Sequence, residues 1–209
     1  MRVKYIILLL AFFINIMVFG ENITEDIRIK NIFIENNISG TVVIYDLQSG
    51  NFLGFDSNRA NKRYIPASTF KIVNSLIGLE TGAVGNVDEI FYKYNGVPQF
   101  LKNWEKDMGM REAIKVSNVT AYQELAKKIG IEKMKFWVGK LDYGNNQIGD
   151  KIDRFWLDGP LEISAVEQTK FLAKLIKNEL PLKKENMLNV KEILKLEDDK
   201  NMKFYGKTG

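Results

Sequence analysis

Apolar and polar residues divide the start of the chain into two regions of different character. An apolar run covers residues 5–19, follows the basic residues Arg2 and Lys4, and is interrupted by Asn15. A positively charged start followed by a short apolar stretch is typical of a secretory signal peptide, here residues 1–20. A retained N-terminal anchor is the alternative, although the run is shorter than the roughly 20 apolar residues of a spanning helix. We therefore expect an exported protein, periplasmic or secreted, with no stable membrane association after cleavage.

Beyond this leader, the pattern predicts a hairpin with a helix before it. Residues 40–46 and 51–56 are rich in β-branched and aromatic side chains and flank a turn with Gly50, which is typical of a β-hairpin. Residues 24–36 carry isoleucines at helical spacing, with Thr24 as a candidate N-cap. We expect an amphipathic helix that covers the hairpin.

A longer helix is predicted over residues 67–79. Pro66 suits the first turn of a helix, apolar residues follow at helical spacing, and Thr81 with Gly82 ends the pattern. Two further helices and a strand are predicted over residues 110–115, 120–129 and 202–206. The chain has four prolines and no repeat or linker, so residues 21–209 are interpreted as one domain.

The absence of two residue types narrows the possible chemistry. The 209 residues include neither His nor Cys, which excludes a Ser-His-Asp triad, a cysteine nucleophile, a disulfide and an ordinary structural zinc site. Any nucleophile must therefore be activated by Lys, Asp, Glu or Tyr. The net charge of +4 falls to +2 once Arg2 and Lys4 leave with the leader. So weak a basic character argues against nucleic acid as a partner.

Ser68 and Lys71 form the first candidate catalytic pair. Residues three apart share a face of a helix, so the Lys71 amine can reach the Ser68 hydroxyl. Apolar neighbours and the positive end of the helix dipole both disfavour an ammonium ion here. A neutral lysine can then act as a general base for a serine nucleophile. Ser-x-x-Lys also occurs by chance, and a capping serine beside an exposed lysine is the alternative interpretation.

Two further motifs follow in order along the chain. Ser117 and Val119 lie between two predicted helices, where a turn could point the hydroxyl across a cleft; an N-cap serine is the alternative. Lys207, Thr208 and Gly209 follow the last predicted strand and combine cationic, hydroxyl and bare-backbone groups suited to an anionic substrate. A Ser-x-x-Lys motif, a second serine motif and Lys-Thr-Gly also occur in penicillin-recognising serine enzymes.

Together these motifs resemble those of the class D β-lactamases, the oxacillinase family of serine β-lactam hydrolases. The resemblance extends over essentially all of residues 21–209 and is carried by residues 68–71, 117–119, 143–145, 155–164 and 205–209. It implies an α+β fold, in which an antiparallel central sheet built from the terminal segments is flanked by helices. A helical lobe, at about residues 80–195, is expected to be inserted between strands, with the site in the cleft between lobe and sheet.

The resemblance also implies the roles of the residues around the nucleophile. Ser68 would open the β-lactam ring and carry the acyl group. Lys71 would react with carbon dioxide to give a carbamate that acts as the base, and no other cofactor or metal is expected. Trp156 would hold this carbamate through its indole N–H, and Val119 would keep its pocket dry. Considered alone, Trp156 and Val119 are also compatible with ordinary core positions.

The remaining implied roles concern the substrate, a small-molecule β-lactam. Ser117 and Lys207 would relay a proton to the leaving nitrogen, while Thr208 and Gly209 would bind the substrate. Two structural expectations accompany these roles. Tyr143 and Asn145 are expected to shape a loop first and to contact the site second. Trp104 and Trp137 are expected in the core.

The chain ends at Gly209, inside the strand of the third motif, whereas members of the family continue for several tens of residues. We therefore expect the C-terminal strands, a closing helix and one oxyanion-hole N–H to be missing, which would impair activity and expose a sheet edge. A partial sequence, a premature stop and a working short variant are all compatible with this end. A β-lactam sensor-like domain and an inactive truncated fragment are the alternative functions, with a cell-wall transpeptidase a weaker one.

Overall fold

The computed structural model describes residues 21–198 and 202–209, so the predicted signal peptide lies outside the described residues. Within them the α-helices are α1 (Ile27–Glu35), α2 (Ser57–Asn61), α3 (Lys71–Glu80), α4 (Met110–Lys115), α5 (Val119–Ile129), α6 (Ile131–Lys140), α7 (Ala165–Lys177) and α8 (Lys184–Ile193). The strands are β1 (Thr24–Glu25), β2 (Val42–Tyr45), β3 (Phe52–Phe55), β4 (Arg63–Tyr64), β5 (Ile163–Ser164), β6 (Lys195–Asp198) and β7 (Lys203–Tyr205). Short 3₁₀ turns, Ala67–Phe70 and Lys102–Trp104, precede α3 and α4.

The strands of the described residues form three small sheets. One has the order β1-β3-β2, with β1 parallel and β2 antiparallel to β3. β4 pairs with β5 and β6 pairs with β7, both antiparallel. The predicted hairpin is confirmed as β2 and β3, and the predicted C-terminal strand corresponds to β7. The α+β class is confirmed, with the strands distributed over separate sheets.

The first helix begins later than the hydrophobic pattern predicts. Thr24, expected as its N-cap, lies in β1 opposite Leu53. Asp26 caps α1 instead, because its side chain accepts hydrogen bonds from two backbone N–H groups of the first turn. Pairing with β3 keeps this segment extended and places Ile23 in a small core cluster. Long-range pairing therefore outweighs the local helical preference.

α1 covers the hairpin only in part. The ring of Phe33 lies 4.8 Å from that of Phe55 on β3, measured between centroids. No residue of α1 is fully buried, however. Ile27 and Ile34 are 64% and 63% exposed. The predicted amphipathic helix thus exists and contacts the hairpin, while part of its apolar surface faces solvent.

α3 lies at the centre of the main hydrophobic core. The predicted helix over residues 67–79 is confirmed, although its first turn is a 3₁₀ turn and α3 itself begins at Lys71. Every residue from Lys71 to Leu79 is buried. Its core neighbours include Tyr122, Leu125, Met134, Trp156 and Val190. Because protein surrounds this helix, a charged group on it loses its contact with water.

The other predicted helices agree closely with the structure. α4 and α5 occupy the two short helical patterns, with α5 beginning one residue earlier than predicted. Trp104 is buried, as expected for a core residue, and Trp137 is half-buried against the core. Within the described part of the chain, no helix has both the length and the apolar character needed to cross a bilayer.

Candidate active site

Ser68 and Lys71 share one face of the helix start, as their spacing predicts. In the 3₁₀ turn before α3, three residues complete one turn, so side chains three apart lie above each other. Lys71 Nζ donates a hydrogen bond to Ser68 Oγ over 2.6 Å. The alternative of an exposed lysine is wrong, because Lys71 is 0% exposed.

The Lys71 amine lies in an environment that disfavours its charged form. Burial, with a smaller contribution from the positive charge of Lys207, lowers the pKa of Lys71 from 10.5 to about 7. The ring of Tyr122 lies 5.5 Å from Nζ and partly offsets the loss of hydration through a cation–π contact. At neutral pH a large share of this amine is therefore unprotonated, which is the form that can accept a proton from Ser68.

The turn that carries Ser68 has an unusual backbone. Ala67 has a φ of +46°, a left-handed conformation that is unfavourable for a residue with a Cβ. Its N–H donates a hydrogen bond to the carbonyl oxygen of Trp156 over 3.0 Å. The N–H of Thr69 donates to the Pro66 carbonyl oxygen over 3.1 Å. The first contact joins the turn to the segment that contains Trp156, and the second closes the turn itself.

Trp156 is fully buried beside this turn. Its ring stacks on that of Phe70, with centroids 5.5 Å apart, and meets the ring of Phe155 edge-on. No atom of the described residues accepts a hydrogen bond from its indole Nε1. Leaving a buried N–H without an acceptor is costly, so such a donor marks a position where a further polar group would be stabilised.

Ser117 lies in the turn between α4 and α5, with a φ of +53°. The alternative that it caps α5 is wrong, because the side-chain oxygen of Asn118 accepts the hydrogen bond from the Ala121 N–H over 3.0 Å. The Asn118 cap leaves the Ser117 hydroxyl outside the helix start. Ser117 lines a cavity of about 650 Å³ together with Lys207 and Thr208. The second and third motifs therefore share one cavity.

Val119 begins α5 and is half-buried. Tyr122 lies one turn later on the same face of α5, where its ring approaches the Lys71 amine. Tyr122 OH shares a 2.7 Å hydrogen bond with Ser75 Oγ, and its carbonyl oxygen accepts one from Asn74 Nδ2 over 3.1 Å. Tyr122 is absent from the predicted site residues, although an aromatic residue one turn after Val119 is a signal for it.

Lys207, Thr208 and Gly209 follow β7 and approach the Ser68 turn. Lys207 Nζ donates a hydrogen bond to the Thr208 carbonyl oxygen over 2.8 Å, and burial lowers the pKa of Lys207. A Cβ added to Gly209 would lie 3.1 Å from the side chain of Thr69 and 3.4 Å from the Pro66 carbonyl oxygen. The third motif thus lies against the first, and this close approach favours glycine.

Tyr143 and Asn145 belong to a loop that supports the segment around Trp156, as expected. The Asn145 side-chain oxygen accepts a hydrogen bond from the Glu162 N–H over 3.1 Å. Gly144 between them has a φ of +62°, and a Cβ there would lie 2.1 Å from the Glu162 carbonyl oxygen. Tyr143 is fully buried, with its ring against that of Phe70. These contacts give both residues a structural role.

Comparison with known proteins identifies the family of the chain. Residues 40–209 match the family described as the penicillin binding protein transpeptidase domain. The chain is 42% identical to β-lactamase OXA-5 of Pseudomonas aeruginosa over 190 residues, which cover 91% of this chain and 71% of that protein. It is also 42% identical to β-lactamase OXA-10 of Pseudomonas aeruginosa over 188 residues, 90% of this chain and 70% of that protein.

Solved structures show the same relationship. FUS-1 (OXA-85), a class D β-lactamase from Fusobacterium nucleatum subsp. polymorphum, superposes with a TM-score of 0.88 at 49% identity, over 89% of this chain and 77% of that one. A class D β-lactamase from Sebaldella termitidis gives a TM-score of 0.85 at 35% identity, over 90% of this chain and 76% of that one. The protein therefore belongs to the class D β-lactamase family.

Proposed function

We propose that this protein hydrolyses β-lactams through an acyl-enzyme formed on Ser68. The observation that carries the proposal is the 2.6 Å contact between Ser68 Oγ and Lys71 Nζ, in a chain without histidine. A serine nucleophile needs a base near the working pH, and a buried amine with a pKa of about 7 provides one. The related proteins named as β-lactamases support the substrate class.

The proposed reaction has two steps. In acylation, Ser68 Oγ bonds to the carbonyl carbon of the β-lactam ring while its proton passes to Lys71. The ring C–N bond breaks, and the nitrogen takes a proton relayed by Ser117 and Lys207, which line one cavity; Thr208 and Gly209, in the same strand end, bind the substrate. The proton that Lys71 took from Ser68 passes to this relay, which restores the neutral amine. In deacylation, a water oxygen bonds to the ester carbon while Lys71 takes the water proton; the bond from this carbon to Ser68 Oγ then breaks, and Lys71 gives its proton to Oγ.

We further propose that Lys71 carries carbon dioxide as a carbamate. Its nitrogen bonds to the carbon of carbon dioxide and releases a proton, which requires the unprotonated amine that burial favours. The buried Trp156 Nε1, for which the described residues offer no acceptor, is suited to hold this anionic group. Val119, half-buried on α5, would limit the access of water. When bound, the group would supply an anionic proton acceptor that stays unprotonated at neutral pH.

Replacing the nucleophile tests the acyl-enzyme. Incubation of the purified protein with benzylpenicillin should add the mass of one penicilloyl group, detected by intact-protein mass spectrometry. Ser68→Ala should form no adduct, because the Ser68 hydroxyl is the group that contacts the Lys71 amine. Ser49→Ala, in an exposed turn, is the matched control and should react like the parent. An adduct that persists in Ser68→Ala would end the assignment.

The lifetime of the adduct separates an enzyme from a sensor. With excess substrate removed, an enzyme returns to its unmodified mass, because Lys71 also activates the deacylating water. A β-lactam sensor domain stays acylated. A long-lived adduct on Ser68, without release of ring-opened product, would therefore support the sensor alternative over hydrolysis.

Labelled bicarbonate tests the carbamate. The protein in ¹³C-bicarbonate should show a carbamate carbon signal by NMR that is absent from Lys71→Met and retained in Lys133→Met, a control at an exposed position of α6. Added bicarbonate should raise turnover, and turnover should fall as the pH drops below about 7, because Lys71 becomes protonated there. Turnover indifferent to bicarbonate after thorough degassing would indicate a plain lysine base.

We also propose that residues 1–20 direct export and are then removed, so that the enzyme works in the periplasm or outside the cell. The basic start and apolar run of this segment support the proposal. Expression in a bacterial host followed by cell fractionation should place the protein outside the cytoplasm, with an N-terminus near residue 21. Full-length protein retained in the membrane fraction would support the anchor alternative.

A further inference from the structure

We propose that Trp104 and Gln99 are positioning residues for Ser117, holding the turn that presents its hydroxyl to the substrate. The inference rests on the proposed function, in which Ser117 passes a proton to the leaving nitrogen. Both residues belong to the segment before α4 and lie outside the motifs that identify the family. Their hydrogen bonds, rather than their position in the sequence, point to this role.

Ser117 has a backbone conformation that needs support from outside its own turn. Its φ of +53° lies in the left-handed region, which a residue with a Cβ adopts only when its surroundings impose it. Within the turn, the Ser117 N–H donates to the Ile114 carbonyl oxygen over 3.2 Å, and Asn118 caps the helix that follows. These local contacts end α4 and begin α5. One further contact, from Asn118 Nδ2 to Met108 Sδ over 3.5 Å, reaches the segment before α4.

The segment before α4 holds this turn on both sides. On one side, Trp104 Nε1 donates a hydrogen bond to the carbonyl oxygen of Val116 over 3.0 Å. On the other, Thr120 Oγ1 donates to Gln99 Oε1 over 2.8 Å. The two contacts bracket Ser117 at the residue before it and at the third residue after it. The segment 116–120, which contains this turn and the start of α5, is fixed at both ends and has few ways to relax its strained residue.

The holding residues are themselves well anchored. Trp104 is 7% exposed. Its backbone N–H donates a hydrogen bond to the Leu101 carbonyl oxygen over 2.9 Å in the 3₁₀ turn. The Gln99 N–H donates to Glu105 Oε1 over 3.2 Å. A buried indole whose N–H has a partner is rigid, so its hydrogen bond transmits a defined position to Val116. A loss of either contact should therefore displace the Ser117 hydroxyl rather than unfold the helices.

Trp104→Phe tests the proposal, because it removes the indole N–H and keeps an aromatic side chain. In single-turnover mass spectrometry with benzylpenicillin, we expect its acylation rate to fall about tenfold or more, since a positioned proton donor contributes on the order of 10²–10⁴. Deacylation should change little, because it depends on Lys71. Trp137→Phe replaces a half-buried tryptophan of α6 and is the matched control, expected to acylate at the parent rate.

A double-mutant cycle shows whether Trp104 acts through Ser117. In a Ser117→Ala background, Trp104→Phe should cause no further loss of acylation rate, because the group it positions is already absent. The same fractional loss in both backgrounds, or an equal loss of acylation and deacylation, would overturn the inference in favour of a general structural role.

Backbone hydrogen exchange gives a readout that does not depend on catalysis. Residues 116–120 should exchange faster in Trp104→Phe and in Gln99→Leu than in the parent, whereas Trp137→Phe should leave their exchange unchanged. Unchanged exchange in both positioning variants would overturn the inference. A parent protein that forms no acyl adduct would contradict the proposed function, and the exchange result would then decide the positioning role by itself.

Discussion

Lys71 takes the place of the imidazole that this chain lacks. An amine in water has a pKa near 10.5 and is protonated at neutral pH, so it cannot accept a proton from serine. Burial on α3 lowers the pKa of Lys71 to about 7 by removing the water that stabilises the charge. The same burial reduces the stability of the fold. In the unfolded chain the Lys71 amine is protonated and hydrated, whereas in the folded protein it must either lose its proton or keep its charge without water.

Lys71→Met should therefore stabilise the protein while abolishing acylation. Between pH 7 and 10.5 the unfolded chain binds one more proton at Lys71 than the folded protein does, so stability rises with pH over this window and this contribution is constant below it. We expect the variant to melt about 5 °C or more above the parent at pH 7, with a smaller difference at pH 10.

Thermal unfolding at the two pH values measures this effect. Lys133→Met, at an exposed position of α6, is the control and should melt like the parent at both. If Lys71→Met raised the melting temperature equally at pH 7 and pH 10, burial of the lysine charge would not be the cause of the stabilisation.

At the scale of elements, the site depends on how irregular segments are fastened to α3. The 3₁₀ turn bearing Ser68 is tied to Trp156 by the hydrogen bond from the Ala67 N–H. The segment of Trp156 is in turn supported by the loop around Gly144, which packs against the Glu162 backbone. Hydrogen bonds and packing between loops thus hold the site in a fixed position relative to the central helix.

Gly144→Ala should loosen this support. Alanine at a φ of +62°, with its Cβ 2.1 Å from the Glu162 carbonyl oxygen, cannot fit without moving the backbone, so we expect a cost of about 2 kcal/mol or more in the free energy of unfolding. Gly139→Ala in α6 meets no atom within 4 Å and should be neutral or stabilising by up to about 1 kcal/mol. Equal denaturant midpoints for the two variants would contradict this account.

At the scale of the whole molecule, burial is uneven. The main core surrounds α3, whereas the N-terminal hairpin has a small cluster of its own, made of Ile23, Phe52, Ala60 and Val166. Ile27 and Ile34 lie two turns apart on one face of α1, and both are more exposed than buried. Exposed apolar side chains at this end favour association with other hydrophobic surfaces.

Positive charges on the face of α1 that carries Ile27 and Ile34 should reduce self-association of the protein. We expect the parent to bind a hydrophobic dye and to associate as its concentration rises, and the double variant Ile27→Lys with Ile34→Lys to do both less. Ile90→Lys introduces charge at another exposed apolar position, 47% exposed, and should have a smaller effect. Light scattering across a concentration series measures the difference, and equal behaviour of the two variants would contradict the role assigned to α1.

Local patterns predicted the elements that depend on neighbours in sequence. The hairpin follows from runs rich in β-branched and aromatic residues around a turn with Gly50, and α3 follows from its helical spacing and from Thr81 and Gly82, which end the pattern. The errors lie where a distant segment decides the outcome. Thr24 pairs with Leu53 of β3 rather than capping a helix. At the start of α5, the alternative of a Ser117 cap, rather than the prediction itself, is wrong: Asn118 takes the cap. Both side chains suit an N-cap, and the local backbone geometry selects between them.

The sequence by itself determined which chemistry was possible: without histidine or cysteine, a serine one helical turn from a lysine is the available nucleophile and base. The tertiary structure decided whether that pair could work. Packing by α5 and the Trp156 segment removes Lys71 from water, and the strand end at Gly209 is brought against the Ser68 turn. The physical reason is that helical spacing is a local property, whereas desolvation and the meeting of distant segments depend on how the whole chain packs.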